Sequence, residues 1–143
     1  MKTTTKNILL IGPVPSPAGG VSVHLWRLKH LLQAEFNVDL VDESRNIKPS
    51  FFNIRTFNLA GYFKRVGNSD ILSIHSGLNA LRFFHIIAGK LFRKKIVLTI
   101  HAYPAEKSRL LRKIDEFMFG SCDLIISVNS EILTRLSLPE KKT

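Results

Sequence analysis

Five short apolar runs recur along the sequence, and longer segments with apolar residues at helical spacing separate them. Strands made of continuous apolar residues are buried on both faces, and parallel strands need long, usually helical connections between them. The alternation therefore predicts an α/β fold with a doubly wound, parallel, Rossmann-like sheet. The predicted strands are residues 7–12, 37–43, 70–75, 95–101 and 123–128, and the predicted helices are residues 21–35, 79–94, 106–121 and 130–136.

The helical spacing also predicts which side chains face the core. In the helix predicted over 79–94, we expect one apolar face toward the sheet and one polar face toward solvent. The inward residues would be Phe84, Ile87, Ala88 and Leu91, and the outward residues Arg82, His85 and Arg93. His30, in the helix predicted over 21–35, is also expected on a solvated face.

The region from residue 45 to residue 68 is less regular and mixes aromatic with basic side chains. It can hold one helix, over roughly residues 53–66. Two alternatives stay open: a helix that packs its aromatic rings on the sheet, or a basic aromatic surface that touches a membrane or a lipid substrate. The aromatic residues are Phe51, Phe52, Phe57, Tyr62 and Phe63, and the basic ones are Lys48, Arg55, Lys64 and Arg65.

The length of 143 residues is enough for one domain, over residues 1–143, with its own core. No apolar run reaches the roughly 18 residues that a membrane-spanning helix needs, and the run after Lys6 is too short for the core of a signal peptide. The single cysteine, Cys122, is typical of a reducing compartment. We therefore expect a cytoplasmic protein.

A net charge of +10 makes the surface attractive to anions. Nucleic acid, phosphorylated substrates and acidic lipid headgroups are all anionic, and charge alone does not choose among them. The basic residues are spread over several predicted helices, and the sequence has no recognition helix, RNA-binding sheet motif or zinc spacing. Nucleic acid is therefore not an expected partner.

Ligands of doubly wound sheets bind at the carboxyl ends of the strands, so the residues that follow each strand are candidates for a site. His75 and His101 come at the ends of the third and fourth predicted strands, and His24 lies one turn into the helix after the first. A histidine at a strand end is also often a hydrogen-bonded packing residue. That alternative stays open for His75 and His101.

The loop after the first predicted strand contains three prolines and then two adjacent glycines. A dinucleotide-binding turn needs the spacing G-x-G-x-x-G, which this loop lacks, although Asp42 stands where a ribose-binding acid would. A P-loop needs a lysine after the glycines, where this chain has Val21. Two alternatives remain: an irregular turn whose glycines only permit close packing, or a wide loop in which Gly19 and Gly20 let backbone N–H groups and the next helix N-terminus approach a phosphate.

Three segments, in order, resemble glycosyltransferase family 4, whose members have the GT-B fold. The first strand, its Gly-Gly loop and the following histidine are similar to the start of these enzymes. The predicted strand that ends in His101 resembles the fourth-strand region of these enzymes. The segment that follows in these enzymes has an acidic residue at the start of a strand and a serine at the start of the next helix, and Asp123 and Ser130 stand at these positions here. The segments are NILLIGPVPSPAGGVSVHLWRL (7–28), KKIVLTIHAY (94–103) and FGSCDLIISVNSEILTRL (119–136).

The resemblance implies a role for each candidate residue. The Gly19–Gly20 pair would approach the diphosphate or the sugar of a nucleotide-sugar donor, and His101 would be the catalytic residue at the reaction centre. His24 and His75 would line the acceptor side of the cleft, with Ser130, at its helix start, as a further candidate. Such enzymes transfer a sugar, usually with retention at the anomeric carbon. They typically need no catalytic metal and no cofactor besides the nucleotide-sugar co-substrate.

The resemblance also implies a second Rossmann-like domain, because a GT-B active site lies between two of them. This sequence would be the amino-terminal, acceptor-side half of a hexosyltransferase-type enzyme, truncated before a last strand and the donor-binding domain, and inactive alone. Its expected partners are a nucleotide-sugar donor, a glycan or lipid-linked acceptor of surface polysaccharide or glycolipid biosynthesis, and a carboxy-terminal half in cis or in trans. A peripheral contact with the inner face of the plasma membrane is a further expectation. The alternative is a non-catalytic subunit that presents the acceptor or recruits a two-chain glycosyltransferase to the membrane.

Overall fold

The computed structural model describes residues 5–15, 19–102, 108–129 and 131. Within them, six strands form one sheet that four α-helices flank. None of these helices is both long and apolar enough to cross a bilayer. The strands are β1 Asn7–Gly12, β2 Asn37–Asp42, β3 Phe52–Asn53, β4 Ile71–Ile74, β5 Lys95–Ile100 and β6 Leu124–Ser127. The helices are α1 Gly20–Leu32, α2 Leu59–Asn68, α3 Asn79–Leu91 and α4 Arg109–Ser121, and a short 3₁₀ turn, Ile54–Thr56, follows β3.

All the predicted strands are present and every strand pair is parallel, which confirms the doubly wound, Rossmann-like fold. The order across the sheet is β3-β2-β1-β4-β5-β6. The chain therefore moves outward from β1 in one direction and then returns to place β4 on the other side of β1. This reversal makes the carboxyl ends of β1 and β4 the switch point, where sheets of this kind bind ligands.

Strand β1 is buried on both faces because its successive side chains point to opposite sides of the sheet. Leu9 and Ile11 join a large core that α2, α3 and α4 cover. Ile8 and Leu10 join a smaller core that contains Leu25 of α1. Because burial of each such side chain stabilises the fold by about 1.5–3 kcal/mol, β1 anchors both layers of helices.

The aromatic segment between β2 and β4 packs largely on the core, as the first alternative predicted. Tyr62 is fully buried, and its ring lies 5.4 Å from that of Phe63. The helix begins at Leu59 instead of near residue 53, since Asn58 caps it by accepting the Gly61 N–H at 2.9 Å. The short strand β3, which the sequence analysis did not predict, occupies the start of this segment. Phe57 differs from the other aromatic residues, because it is 83% exposed and has a left-handed backbone with φ of 56°.

Helix α3 buries only part of the face that was predicted: Ala88 is buried and Phe84 packs on the core, as predicted, but Leu91 is exposed. Arg82 and His85 are buried, whereas Ile87 is 40% exposed. His85 Nε2 lies 2.8 Å from Glu43 Oε1, and His85 Nδ1 lies 2.7 Å from the Tyr62 hydroxyl. Because both ring nitrogens have partners, the ring is buried without an unsatisfied polar atom. The expectation of a solvated His85 is wrong because these partners come from distant parts of the chain.

We expect His85→Ala to destabilise the protein by about 3 kcal/mol, because it leaves the buried Glu43 carboxylate and Tyr62 hydroxyl without their shared partner. The measurement is the free energy of unfolding from urea denaturation at pH 7. The matched control is His30→Ala on the exposed face of α1, which should change that free energy by less than about 0.5 kcal/mol. Equal effects of the two substitutions would contradict the buried network.

Candidate functional site

The structure brings together three of the predicted site residues at the carboxyl edge of the sheet. His75 directly follows β4, His101 directly follows β5, and His24 lies in the second turn of α1. The His75 and His101 rings have centroids 5.6 Å apart, and the His24 ring lies 5.5 Å from His75 and 5.2 Å from His101. We call these residues the histidine cluster. It lies beside the switch point between β1 and β4.

Backbone contacts at the end of β1 hold His75 in place. The His75 N–H donates to the carbonyl oxygen of Ile11 at 2.8 Å, which extends the pairing of β1 with β4 by one residue. Gly12 lies so close that a Cβ atom there would be 3.1 Å from His75 Cβ and 3.2 Å from Leu25 Cδ2. Gly12 therefore permits a close approach of β1, β4 and α1, which no larger residue allows without displacement.

The side-chain hydrogen bonds of His75 use both ring nitrogens. Its Nε2 lies 3.0 Å from the hydroxyl of Ser73, which is also buried, and its Nδ1 lies 3.3 Å from His101 Nε2. Sequence reasoning missed Ser73, although a signal was available. Residues two apart in a strand share a face, so a serine two positions before a strand-end histidine can reach its ring.

Burial and neighbouring positive charges keep His75 and His101 uncharged at neutral pH. Burial, followed by the charges of His101 and His24, lowers the pKa of His75 to about 3. Burial, followed by the charges of His24 and Arg82, also lowers the pKa of His101. Neutral imidazoles keep a lone pair, so the cluster can accept hydrogen bonds from hydroxyl groups or bind a metal ion.

The Gly19–Gly20 pair begins α1, as predicted for the loop after β1, with Gly20 as the first helical residue. Ser22 Oγ accepts the Gly19 N–H at 2.8 Å and donates to the Gly19 carbonyl oxygen at 3.0 Å. A Cβ atom on Gly20 would meet nothing within 4 Å, so the space beside this helix start is open. The helix start therefore offers the partial positive charge that favours an anion.

A cleft of about 560 Å³ opens beside this helix start. Gly19, Gly20, Ser44 and Arg45 are among the residues that line it, and the histidine cluster is not. The described part of the chain thus carries two neighbouring features at the same edge of the sheet. One is a cleft lined by a helix N-terminus, the cationic Arg45 and the acidic Glu43, and the other is a group of imidazoles, of which His75 and His101 are neutral.

Asp42, which the sequence places where a ribose-binding acid would stand, has a structural role in this fold. It is fully buried, and its carboxylate accepts hydrogen bonds from the Val14 and Ser44 N–H groups at 3.1 and 2.8 Å. The Ser44 hydroxyl and the Asn53 side-chain amide donate to its other oxygen at 2.7 and 3.2 Å. These four bonds fix the loops after β1 and β2 around the cleft. Ser130, the remaining predicted site residue, lies outside the described residues.

The chain is similar in structure to Anabaena Alr3699/HepE. The crystal structure of that protein in complex with UDP-glucose matches with a TM-score of 0.66 at 12% sequence identity, over 92% of this chain and 40% of that chain. Its structures with UDP, and with UDP and glucose, match over the same shares with TM-scores of 0.54 and 0.56 at 13% and 12% identity. No protein-family model and no curated protein matches this sequence. At such identities the likeness shows the fold, and this chain spans about two fifths of the matched chain's length.

The depressed pKa of His75 predicts a loss of stability in acid. The unfolded chain takes up a proton near pH 6.5, whereas folded His75 does so only near pH 3, so the free energy of unfolding falls as pH decreases from about 6.5 toward 3. This residue should contribute up to about 1.4 kcal/mol per pH unit in that range. Urea denaturation of chelator-treated protein between pH 7 and pH 4.5 measures it, with His75→Asn as the comparison. Parallel pH profiles for the two proteins would contradict the prediction.

Proposed function

We propose that this chain is the amino-terminal, acceptor-side half of a retaining glycosyltransferase of family 4, which uses a nucleotide-sugar donor. The observation that carries the proposal is the arrangement at the switch point, where the open start of α1 lies beside the histidine cluster, in which His75 and His101 are neutral. A nucleotide-sugar has the same arrangement of chemical groups, with an anionic diphosphate next to a ring of hydroxyl groups. The likeness to a fold that binds UDP-glucose and UDP in Alr3699/HepE supports the same class of ligand.

In this proposal the start of α1 and the histidine cluster bind different parts of the substrates. The backbone N–H of Gly20, the dipole of α1 and the Arg45 side chain favour the donor's diphosphate, and such fixed positive groups stabilise a diphosphate as it departs. His101 lies at the reacting end, where its half-buried, neutral imidazole hydrogen-bonds hydroxyl groups of the transferred sugar. His24, which is exposed, and His75 line the acceptor side.

The reaction in this proposal needs a second domain, in cis or in trans. In a GT-B enzyme the second Rossmann-like domain supplies the rest of the donor site, and this chain spans 40% of the matched chain. The chain alone is therefore proposed to bind a nucleotide-sugar weakly and to give no turnover. The proposed pathway is the assembly of a surface polysaccharide or glycolipid.

Binding of UDP-glucose to the chain tests the proposal. We expect chemical-shift changes in NMR spectra at the start of α1 and in the histidine cluster, and we expect Gly20→Asp to weaken binding at least tenfold by placing a carboxylate at the phosphate position. An acidic residue at a helix start is itself favourable, so this variant should fold. Gly120→Asp, which also places a carboxylate in open space but on α4, is the matched control and should bind UDP-glucose as the wild type does. Equal affinities for Gly20→Asp and wild type, or no binding by the wild type, would contradict the proposal.

The proposal also includes a lipid-linked acceptor that is presented at an acidic membrane. Phe57 is the side chain proposed to contact this membrane. The strand β3 ends at the carboxyl edge of the sheet because Asn53 pairs with Asp42, so the turn that leads to Phe57 starts at the same edge as the site. By contrast, the basic residues that follow α3 lead into the start of β5, at the opposite edge. An aromatic side chain that is 83% exposed, in a turn that starts at the same edge of the sheet as the site, suits an acyl chain or a membrane interface.

Vesicle flotation tests this membrane contact. We expect Phe57→Asn to reduce binding to vesicles that contain acidic lipid several-fold, because it removes exposed apolar surface while asparagine tolerates the left-handed backbone of this position. Leu31→Asn on α1 is the control, since Leu31 is similarly exposed, at 74%. Equal losses in both variants, or equal binding of the wild type to neutral and acidic vesicles, would contradict the proposed contact.

A further inference from the structure

The three imidazoles of the histidine cluster converge on one point. Each ring offers a nitrogen, and these three nitrogens all lie within 4.8 Å of one another. His75 Nδ1 and His101 Nε2 are 3.3 Å apart. We propose that His24, His75 and His101 form a binding site for a divalent transition metal ion of the Zn²⁺ class.

The observed spacing is close to what such an ion needs. Zn–N distances of about 2.0–2.1 Å in a tetrahedral site place neighbouring ligand nitrogens about 3.3 Å apart. The His75–His101 pair already has this separation, and His24 is exposed, so its side chain can adjust by rotation about its own bonds. Imidazole is a preferred ligand of zinc, cobalt, nickel and copper ions, and three histidines leave a fourth position open.

The surroundings of His75 are those of a positioned metal ligand. Metal-bound histidines usually donate the N–H of their other nitrogen to a fixed acceptor, which sets the tautomer. Here the buried Ser73 hydroxyl lies 3.0 Å from His75 Nε2 and can accept its N–H, and in that tautomer the Nδ1 lone pair faces His101. The three ligands come from three separate elements of one packed edge, and Gly12 allows the close approach of two of them.

The charge near the site selects the fourth ligand. The cluster contains no carboxylate, and the positive charge of Arg82 acts on His101. The metal would therefore keep its full charge in a positive environment, which favours an anionic oxygen, such as hydroxide or a phosphate oxygen, in the open position. This inference does not depend on the proposed transferase function, because it rests on the side chains of this chain alone.

Titration of chelator-treated protein with Co²⁺, followed by the visible absorption of four-coordinate cobalt, and with Zn²⁺, followed by calorimetry, tests the site. We expect one ion per chain. His24→Asn and His101→Asn should each weaken binding at least about tenfold and abolish the four-coordinate spectrum, and Ser73→Ala should weaken it about tenfold by freeing the His75 ring. His30→Asn, a second exposed histidine on α1, is the matched control and should leave affinity and spectrum unchanged.

Three results would overturn the metal site: no binding by the wild type, unchanged binding by His24→Asn, or an equal loss in His30→Asn. Because His24 is exposed, its substitution should leave the fold intact, and circular dichroism of each variant checks this. The UDP-glucose experiment uses chelator-treated protein as well. A failure of nucleotide-sugar binding and a failure of metal binding are therefore separate results.

Discussion

The close contact between β1 and β4 at their carboxyl ends is the constraint on which the site depends. Ile11 pairs with Ile74, and the next backbone N–H, that of His75, continues the ladder by donating to the Ile11 carbonyl oxygen at 2.8 Å. Gly12 lies at this end of β1, where a Cβ atom would be 3.1 Å from His75 Cβ and 3.2 Å from Cδ2 of Leu25 on α1. A larger residue at position 12 would push on β4 and α1 together, and these two elements carry His75 and His24. One glycine thus sets the spacing of the cluster through contacts that are not themselves polar.

The charge state of the histidine cluster differs from that of the chain as a whole. The protein carries a net charge of +10, and Arg82 acts on His101, so further positive charge is unfavourable among the three rings. Burial has the larger effect, however, since it is the main cause of the lowered pKa values of His75 and His101. The His75 and His101 rings therefore stay neutral and keep their lone pairs at physiological pH. The net positive charge attracts anions to the protein, while neutral ring nitrogens at this edge of the sheet can exchange their present partners for hydroxyl groups or a metal ion.

Much of the fold could be predicted from the sequence because continuous apolar strands that alternate with helices have few stable arrangements. The meeting of His24, His75 and His101 followed from the same rule, since all three come after strands whose carboxyl ends share one edge. Their mutual distances could not be predicted, because they depend on how closely Gly12 lets β1, β4 and α1 approach. The burial of His85 was missed for a related reason, as a helical wheel records only the residue types of one helix, and Glu43 and Tyr62 lie on other elements.

The cleft at the start of α1 and the histidine cluster are connected through α1 itself. Gly20 and His24 are four residues apart, about one turn or 6 Å along the same helix, so the helix that presents its N-terminus to the cleft also carries one histidine of the cluster. A diphosphate held at the helix start would then have an oxygen within reach of a metal held by the cluster. Because the cluster supplies no carboxylate and lies near Arg82, such an oxygen is the fourth ligand that the charges favour. By thermodynamic linkage, each of the two ligands would then raise the affinity for the other. Independent binding of the two would instead mean that the metal's open position faces away from the cleft.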